Sequence, residues 1–318
     1  MARSQQRWFR ESLLAWYDLH RRDLPWRASR DPYRVWLSEI MLQQTRVAAV
    51  IDHYHEFLRR FPTVQRLAAA RQSSVLAAWS GLGYYRRARM MHAAAKVIVH
   101  ERGGKFPKTE EELRELPGIG RYTAAAIASI AFEEPVAVVD GNVERVLHRV
   151  SGKRSAGEEL WRAANCLLDA KRPGDFNQAM MELGALVCTP RAPGCLTCPV
   201  IELCATRGEL AAADKPERQT KCEIHYALHC RNGDVLLVQR ARDASLMPDM
   251  WELPEVAGMK GSASFTLRHS ITVRDYTVRV WQNGAPPRMA GKWVPLERLG
   301  RMALTGLARK ILRKAKIL

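Results

Sequence analysis

Four cysteines stand close together in the pattern Cys188-x6-Cys195-x2-Cys198-x5-Cys204. The N-terminal stretch MARSQQRWFRESLLAWYDLH has no unbroken apolar run, and the spacing of Phe9, Leu13, Leu14 and Trp16 predicts an ordinary first helix rather than a secretory signal. A cytosolic chain keeps its thiols reduced, so four adjacent cysteines point to metal ligation, not disulfides. Zinc accepts four thiolates, usually from two CxxC knuckles separated by a longer excursion. A [4Fe-4S] cluster takes one thiolate per iron, and a compact loop can supply all four. The spacing favours the cluster and leaves zinc open. Cys166, Cys222 and Cys230 read as packing residues.

A chain of 318 residues has room for about two domains. From residue 7 to about 210, apolar positions recur at three and four, broken by short Pro/Gly punctuations, which predicts an all-α region. The domain boundaries expected are 1–208 for the helical part, with its cysteine loop at 188–204, and 209–221 for a polar linker. The remainder, 222–318, predicts an α+β domain with strand-like runs at 223–230, 234–240 and 271–281 and a closing helix at 303–316. No apolar run reaches the roughly 18 residues of a membrane helix.

The net charge of +17 favours polyanionic partners, and residues 221–318 alone hold 17 basic against 8 acidic side chains. Nucleic acid therefore leads the partner classes. Leu116-Pro117-Gly118-Ile119-Gly120 lies between a helix ending near Glu115 and one running to about Ala131. Gly118 and Gly120 let the backbone turn and approach a phosphate, while the second helix aims its first N–H groups at the same point. This is a helix-hairpin-helix that grips a nucleic-acid backbone without reading bases.

Two carboxyls stand out. Asp31-Pro32 starts a helix on which Glu39 shares a mainly apolar face, and burial there would raise its pKa toward that of a general acid. Asp140 follows the apolar run 136–139 and precedes a helix at 143–150. Taken singly, Glu39 reads as a helix-rim residue and Asp140 as an N-cap. Facing each other in a cleft, they would form the acid-and-anion pair that cleavage of a glycosidic bond requires. Gln43-Gln44, and Gly83-Tyr84-Tyr85 with Arg86, Arg87 and Arg89, are suited to filling a stack from which a base has been removed. Tyr85 reads as a core tyrosine.

Together these blocks resemble the endonuclease III superfamily of helix-hairpin-helix, base-excision DNA glycosylases, and within it the MutY-type branch of adenine DNA glycosylases. LeuProTrpArg (24–27), TrpLeuSerGluIleMetLeuGlnGlnThr (36–45), GlyLeuGlyTyrTyr (81–85), the hairpin, ValAspGlyAsnVal (139–143), PheAsnGlnAlaMet (176–180) and the four cysteines come in that family's order. The resemblance implies a [4Fe-4S] cluster on Cys188, Cys195, Cys198 and Cys204. It implies that a monomer acts on double-stranded DNA, flipping out an adenine mispaired with 8-oxoguanine or guanine. In that scheme Glu39 protonates the adenine at N7, Asp140 stabilises the cationic sugar, and Tyr122 and Asn142 support the pair. Arg22, Trp26 and Arg27 would line the adenine pocket, with Gln43, Gln44, Thr45 and Tyr84 on the DNA and Gly118 and Gly120 at the phosphates.

Lyase-competent relatives carry a lysine where this chain has Tyr122, and no lysine occurs from 109 through 152. The resemblance thus implies a monofunctional enzyme that leaves an abasic site. ValLeuLeuValGlnArg (235–240), TrpGluLeuPro (251–254) and TrpValProLeu (293–296) resemble the Nudix-like domain with which this branch reads 8-oxoguanine. No Nudix hydrolase box is present, so nucleotide hydrolysis is not expected. The family's Phe-Ser-His recognition loop corresponds here to His269-Ser270-Ile271-Thr272-Val273. Thr272 keeps a hydroxyl and Val273 replaces the histidine.

Overall fold

The structure, a computed structural model, describes residues 1–210, 220–257, 262–271, 274–282 and 291–318. Its helical part runs α1 (Arg3–His20), α2 (Pro32–Leu42), α3 (Val47–Arg60), α4 (Val64–Ala68), α5 (Gln72–Ala78), α6 (Arg86–Glu101), α7 (Glu110–Arg114), α8 (Arg121–Phe132), α9 (Gly141–Ser151), α10 (Gly157–Leu167) and α11 (Pro173–Leu186). The strands follow: β1 (Thr220–Leu228), β2 (Cys230–Arg231), β3 (Asp234–Gln239), β4 (Trp251–Glu252), β5 (Phe265–Ile271), β6 (Arg274–Gln282) and β7 (Lys292–Pro295), closed by α12 (Gly306–Lys314). The chain divides into two compact units. The first is Met1–Tyr54, Thr63–Gln65 and Ala93–Ala213, and the second is His55–Pro62, Arg66–His92 and Asp214–Leu318.

Helical periodicity builds the first unit. α9 buries Val143, Val146, Leu147 and Val150, and α11 buries Phe176, Ala179, Met180 and Leu183, each set spaced i, i+3, i+4, i+7. These stripes meet Phe9, Leu13 and Tyr17 of α1 in one apolar core. Gly184 lets α9 and α11 approach closely, because a Cβ there would lie 2.6 Å from the Asn142 Cβ. α2 is buried on almost every side, from Tyr33 through Met41 with only Arg34 exposed. Asp31 caps it by accepting from the Arg34 amide at 2.9 Å, and Pro32 occupies its first turn.

In the second unit β1 pairs in parallel with β6, which pairs antiparallel with β5; β3 lies between β2 and β4 and also pairs with β7. Alternate residues Val235 and Leu237, and Val278 and Val280, turn inward. They pack with Leu307, Ala308, Ile311 and Leu312 of α12. Phe57 packs edge-on against Phe61 and Trp79, with ring centroids 5.0 and 5.9 Å away.

Several expectations need correcting. Residues 55–62 and 66–92 group with the strands, so the second unit also takes in chain on the N-terminal side of the expected linker, of which 211–219 lie outside the described residues. Of the run at 271–281, residues 274–281 lie in β6, while Ile271 ends the antiparallel partner β5 and 272–273 lie outside the described residues; β5 places Leu267 and the partly buried Phe265 in the core, a weak alternating pattern. The closing helix starts at 306 rather than 303, because Ala303 O and the Thr305 amide bond Trp251 instead. Cys166 and Cys230 are exposed and are not packing residues. No helix among the described residues is long and apolar enough to cross a membrane.

Candidate active site

Glu39 sits in the buried α2 with 6% of its surface exposed. Tyr122, in the first turn of α8, donates its O–H to Glu39 Oε2 at 2.6 Å. Burial pushes the Glu39 carboxyl up to about 7; the Tyr122 hydrogen bond opposes this, the nearby Asp140 charge adds to it, and Arg27 opposes it. The Tyr122 phenol is itself pushed well above its ordinary value, by burial and then by the Glu39 and Asp140 charges. The acid therefore keeps its proton far above the ordinary carboxyl range and gives it up around neutral pH, while the phenol beside it does not ionise.

Asp140 is the N-cap of α9. Its Oδ1 accepts from the amides of Asn142 and Val143 at 2.9 and 2.8 Å, and its Oδ2 accepts from Asn142 Nδ2 at 3.0 Å. Burial raises its pKa while these bonds and Arg145 act against the rise. The segment before it is held by two asparagines: Asn177 accepts from the Val138 amide and Asn165 from the Ala137 amide, each at 3.0 Å. Arg145 donates to Asn142 Oδ1 at 2.8 Å, Gly184 O at 2.6 Å and Cys188 O at 2.8 Å. Two carboxyls, one lifted by burial to about 7 and the other accepting three hydrogen bonds at a helix N-terminus, thus share an electrostatic environment, which suits proton donation to a leaving group together with stabilisation of a cation.

Arg22 and Arg27 converge on Glu182 of α11, at 2.6 and 3.0 Å. Burial pushes Glu182 up, but hydrogen bonds from the two arginines outweigh it and hold the carboxyl at about 2. Trp26 is buried and meets Tyr54 edge-on at 5.5 Å. Where the chain leaves α2, Gln43 Nε2 donates to Thr123 Oγ1 at 3.2 Å, exposed Gln44 takes a left-handed φ of +55°, and Thr45 Oγ1 donates to Gln43 O at 3.2 Å.

In the hairpin, only Gly118 needs glycine for its backbone, with φ +75°. Gly120 is extended at φ −88°, ψ 174°, and a Cβ there would meet nothing within 4 Å. The expectation that both glycines make the turn is corrected on that point. Gly120 leaves open space in front of α8, whose start no side chain caps.

Cys188, Cys195, Cys198 and Cys204 are half-buried and line one cavity with Val146, Val150, Leu183 and Val187. Burial pushes the Cys198 thiol up to about 11, with Cys188, Cys204 and Cys195 adding to the rise. Arg149, 4% exposed, donates to Cys188 Sγ at 3.3 Å and to Thr189 O at 2.7 Å. Among the described residues, no group of three or more His, Cys, Asp or Glu side chains is arranged to hold a single metal ion.

In the second unit Tyr84 is 49% exposed with a left-handed φ of +46°, while Tyr85 is 3% exposed. His269 lies on β5 opposite Tyr276; burial and then Lys310 lower its pKa. Thr272 lies outside the described residues. Sequence reasoning missed Glu182, Arg145 and Arg149, and named Asn177 only within the 176–180 block, with no role. Asn177 and Glu182 were within reach, since a polar residue facing the core side of an otherwise apolar helix signals a built polar contact.

Residues 37–165 match the model of the HhH-GPD superfamily base excision DNA repair protein. The chain is 50% identical over 224 residues to an adenine DNA glycosylase of Mus musculus, covering 64% of this chain and 44% of that protein. It is 37% identical over 314 residues to one of Arabidopsis thaliana, covering 83% and 50%. It therefore spans half or less of the length of these relatives. A thermostable thymine-DNA glycosylase structure matches with TM-score 0.61 at 30% identity, covering 64% of this chain and 97% of its own. A trapped endonuclease III–DNA covalent intermediate matches in fold, with TM-score 0.57 at 23% identity, covering 65% and 97%.

Proposed function

Since this chain belongs to the HhH-GPD superfamily of base excision DNA repair proteins, we propose that it is a monofunctional adenine DNA glycosylase acting on adenine opposite 8-oxoguanine or guanine in double-stranded DNA. The observation that carries the reading is the pair formed by Glu39, lifted by burial to about 7 and bonded to Tyr122, and Asp140, bonded by Asn142 and two amides. Glu39 donates its proton to N7 of the flipped adenine, which leaves with the electrons of the C1′–N9 bond. Asp140 faces the positive charge that develops on the deoxyribose. Water adds at C1′ and gives up a proton, leaving an abasic site. Tyr122 orients Glu39, and Asn142 orients Asp140. Arg22, Trp26 and Arg27 line the base pocket, with Glu182 fixing both arginines. Gln43, Gln44, Thr45 and Tyr84 contact the opened duplex, and the turn at Gly118 and Gly120 takes the phosphates.

The four cysteines fit a [4Fe-4S] cluster. All four border one apolar-walled cavity, and a cluster of this kind takes one thiolate per iron. Bound there, the cluster would tie the 188–204 loop together, and purified protein should be brown, with about four iron and four sulfide per chain. One zinc in colourless protein would refute that assignment. The strand region is proposed as a Nudix-like reader of 8-oxoguanine, with His269, which lies within β5 and not on a loop, and Thr272 as its recognition residues.

The deciding experiment is single-turnover cleavage of duplexes with A opposite 8-oxoguanine, A opposite G, A opposite T, and an oxidised pyrimidine, each read with and without alkali. Breaks that need alkali, strongest for A opposite 8-oxoguanine, are expected. Breaks without alkali at the pyrimidine would establish a lyase instead.

A further inference from the structure

Three residues of the loop between α5 and α6 take left-handed backbone angles: Gly81 at φ +114°, Gly83 at +70° and Tyr84 at +46°. Glycine does so freely, but a tyrosine held there stores strain that persists only where its surroundings fix it. One set of bonds comes from the loop's own flanks. Trp79 Nε1 donates to Gly83 O at 3.1 Å, and an Arg87 amino group donates to Leu82 O at 3.1 Å and Gly83 O at 3.3 Å. The Arg87 guanidinium also lies 5.4 Å from the Trp79 ring and 5.5 Å from the Tyr84 ring.

A second set comes from the C-terminal part of the same unit. The Tyr85 O–H donates to the Leu304 carbonyl at 2.8 Å, and the Ser80 hydroxyl donates to that carbonyl at 3.1 Å. Arg309 Nε in turn donates to Ser80 Oγ at 2.5 Å. Ser80, Tyr85 and Leu304 are 5%, 3% and 0% exposed, so neither hydroxyl can exchange this carbonyl for water without loss. Leu304 is itself fixed, since its neighbours Ala303 and Thr305 bond Trp251 and Thr305 caps α12. Arg89 adds a second tie, pairing with Asp249 at 3.6 Å and donating to Pro248 O.

We propose that Arg309 and the Leu304 carbonyl are positioning groups for Tyr84, so that the C-terminal region braces the loop that presses Tyr84 into the duplex. The proposal rests on the reading of Tyr84 as a DNA wedge. It gives the C-terminal region a task besides reading the base opposite adenine: it keeps the exposed tyrosine in a backbone conformation that would otherwise relax.

The test uses the full chain with Arg309→Met and Tyr85→Phe, each alone and combined with Tyr84→Ala. Amide hydrogen exchange at 81–87 is measured without DNA, and affinity is measured for a duplex carrying an abasic-site analogue opposite 8-oxoguanine. Exchange in the loop should accelerate at least about tenfold in each single variant while the α9 and α11 amides keep their protection. Loss of one buried hydrogen bond should weaken duplex affinity about fivefold to tenfold when Tyr84 is present and less than about twofold when it is alanine. Unchanged exchange, or losses that add fully to those of Tyr84→Ala, would overturn the brace. Should Arg309→Met not fold, Tyr85→Phe, which removes one oxygen, carries the same cycle. A chain that releases no adenine yet shows the expected exchange and coupling would sink the glycosylase reading and leave the brace standing. An active glycosylase with additive losses would do the reverse.

Discussion

Glu39 and Tyr84 stand for two ways of making a side chain useful. Glu39 is 6% exposed on a helix buried on nearly every side, and burial is what lifts its carboxyl to about 7. Tyr84 is 49% exposed, and what is unusual about it is the backbone beneath it. A group that must change protonation has to be taken out of water, whereas a group that must touch a partner stays in water and is held by its main chain. Glu39 is thus tuned by burial, and the backbone under Tyr84 is held by hydrogen bonds to carbonyls.

The contrast can be broken most severely at Asp140. Asp140→Asn should lower single-turnover adenine release by at least about a thousandfold while affinity for the mispaired duplex changes less than about threefold; equal losses would make Asp140 structural. Glu39→Gln should cost about a hundredfold to a thousandfold. If Glu39 acts in its protonated form as proposed, the wild-type rate should fall as pH rises through about 7, and the variant's profile should be flat across that range. A wild-type rate that instead rises through pH 7 would remove Glu39 from the acid role.

Stability sharpens the same comparison within the first unit. Glu182→Ala leaves Arg22 and Arg27 facing a buried gap, and about 3 kcal/mol of stability should be lost in denaturant unfolding at pH 7. The depressed Glu182 pKa signs its contribution: it is present above the ordinary carboxyl range and is lost as pH falls toward about 2. Glu39 has the opposite sign, with a stabilising contribution present at low pH and lost as pH rises through about 7. The smallest effect belongs to the second unit. Thr272→Ala should shrink the preference for 8-oxoguanine over guanine by about threefold to tenfold, the worth of one hydrogen bond. An unchanged ratio would place recognition elsewhere.

The helical half was legible because apolar spacing and short motifs carry it: Asp31-Pro32 announces α2, and Pro117-Gly118 announces the hairpin. Glu39 and Asp140 could be nominated from local pattern, but their electrostatic coupling across 101 positions comes from the packing of α2 on α8 and of α8 and α9 on α11, and from no local signal. Glu182 escaped notice because its partners lie 155 and 160 residues away. β5 escaped because Leu267 and the partly buried Phe265 are too little pattern to mark a strand. The association of residues 66–92 with the C-terminal strands was illegible for the same reason, since it depends on hydroxyls meeting a carbonyl more than two hundred residues away.

The close approach of α9 and α11 at Gly184 has a consequence for inherited variation. A methyl group added there would collide with the Asn142 Cβ, which cannot swing aside as the tip of a long side chain could. The backbone that presents Asp140 would have to move instead. A change at 184 would thus displace the site while leaving the chemistry of its side chains unaltered. Such an allele would read as innocuous to anyone scanning for altered chemistry.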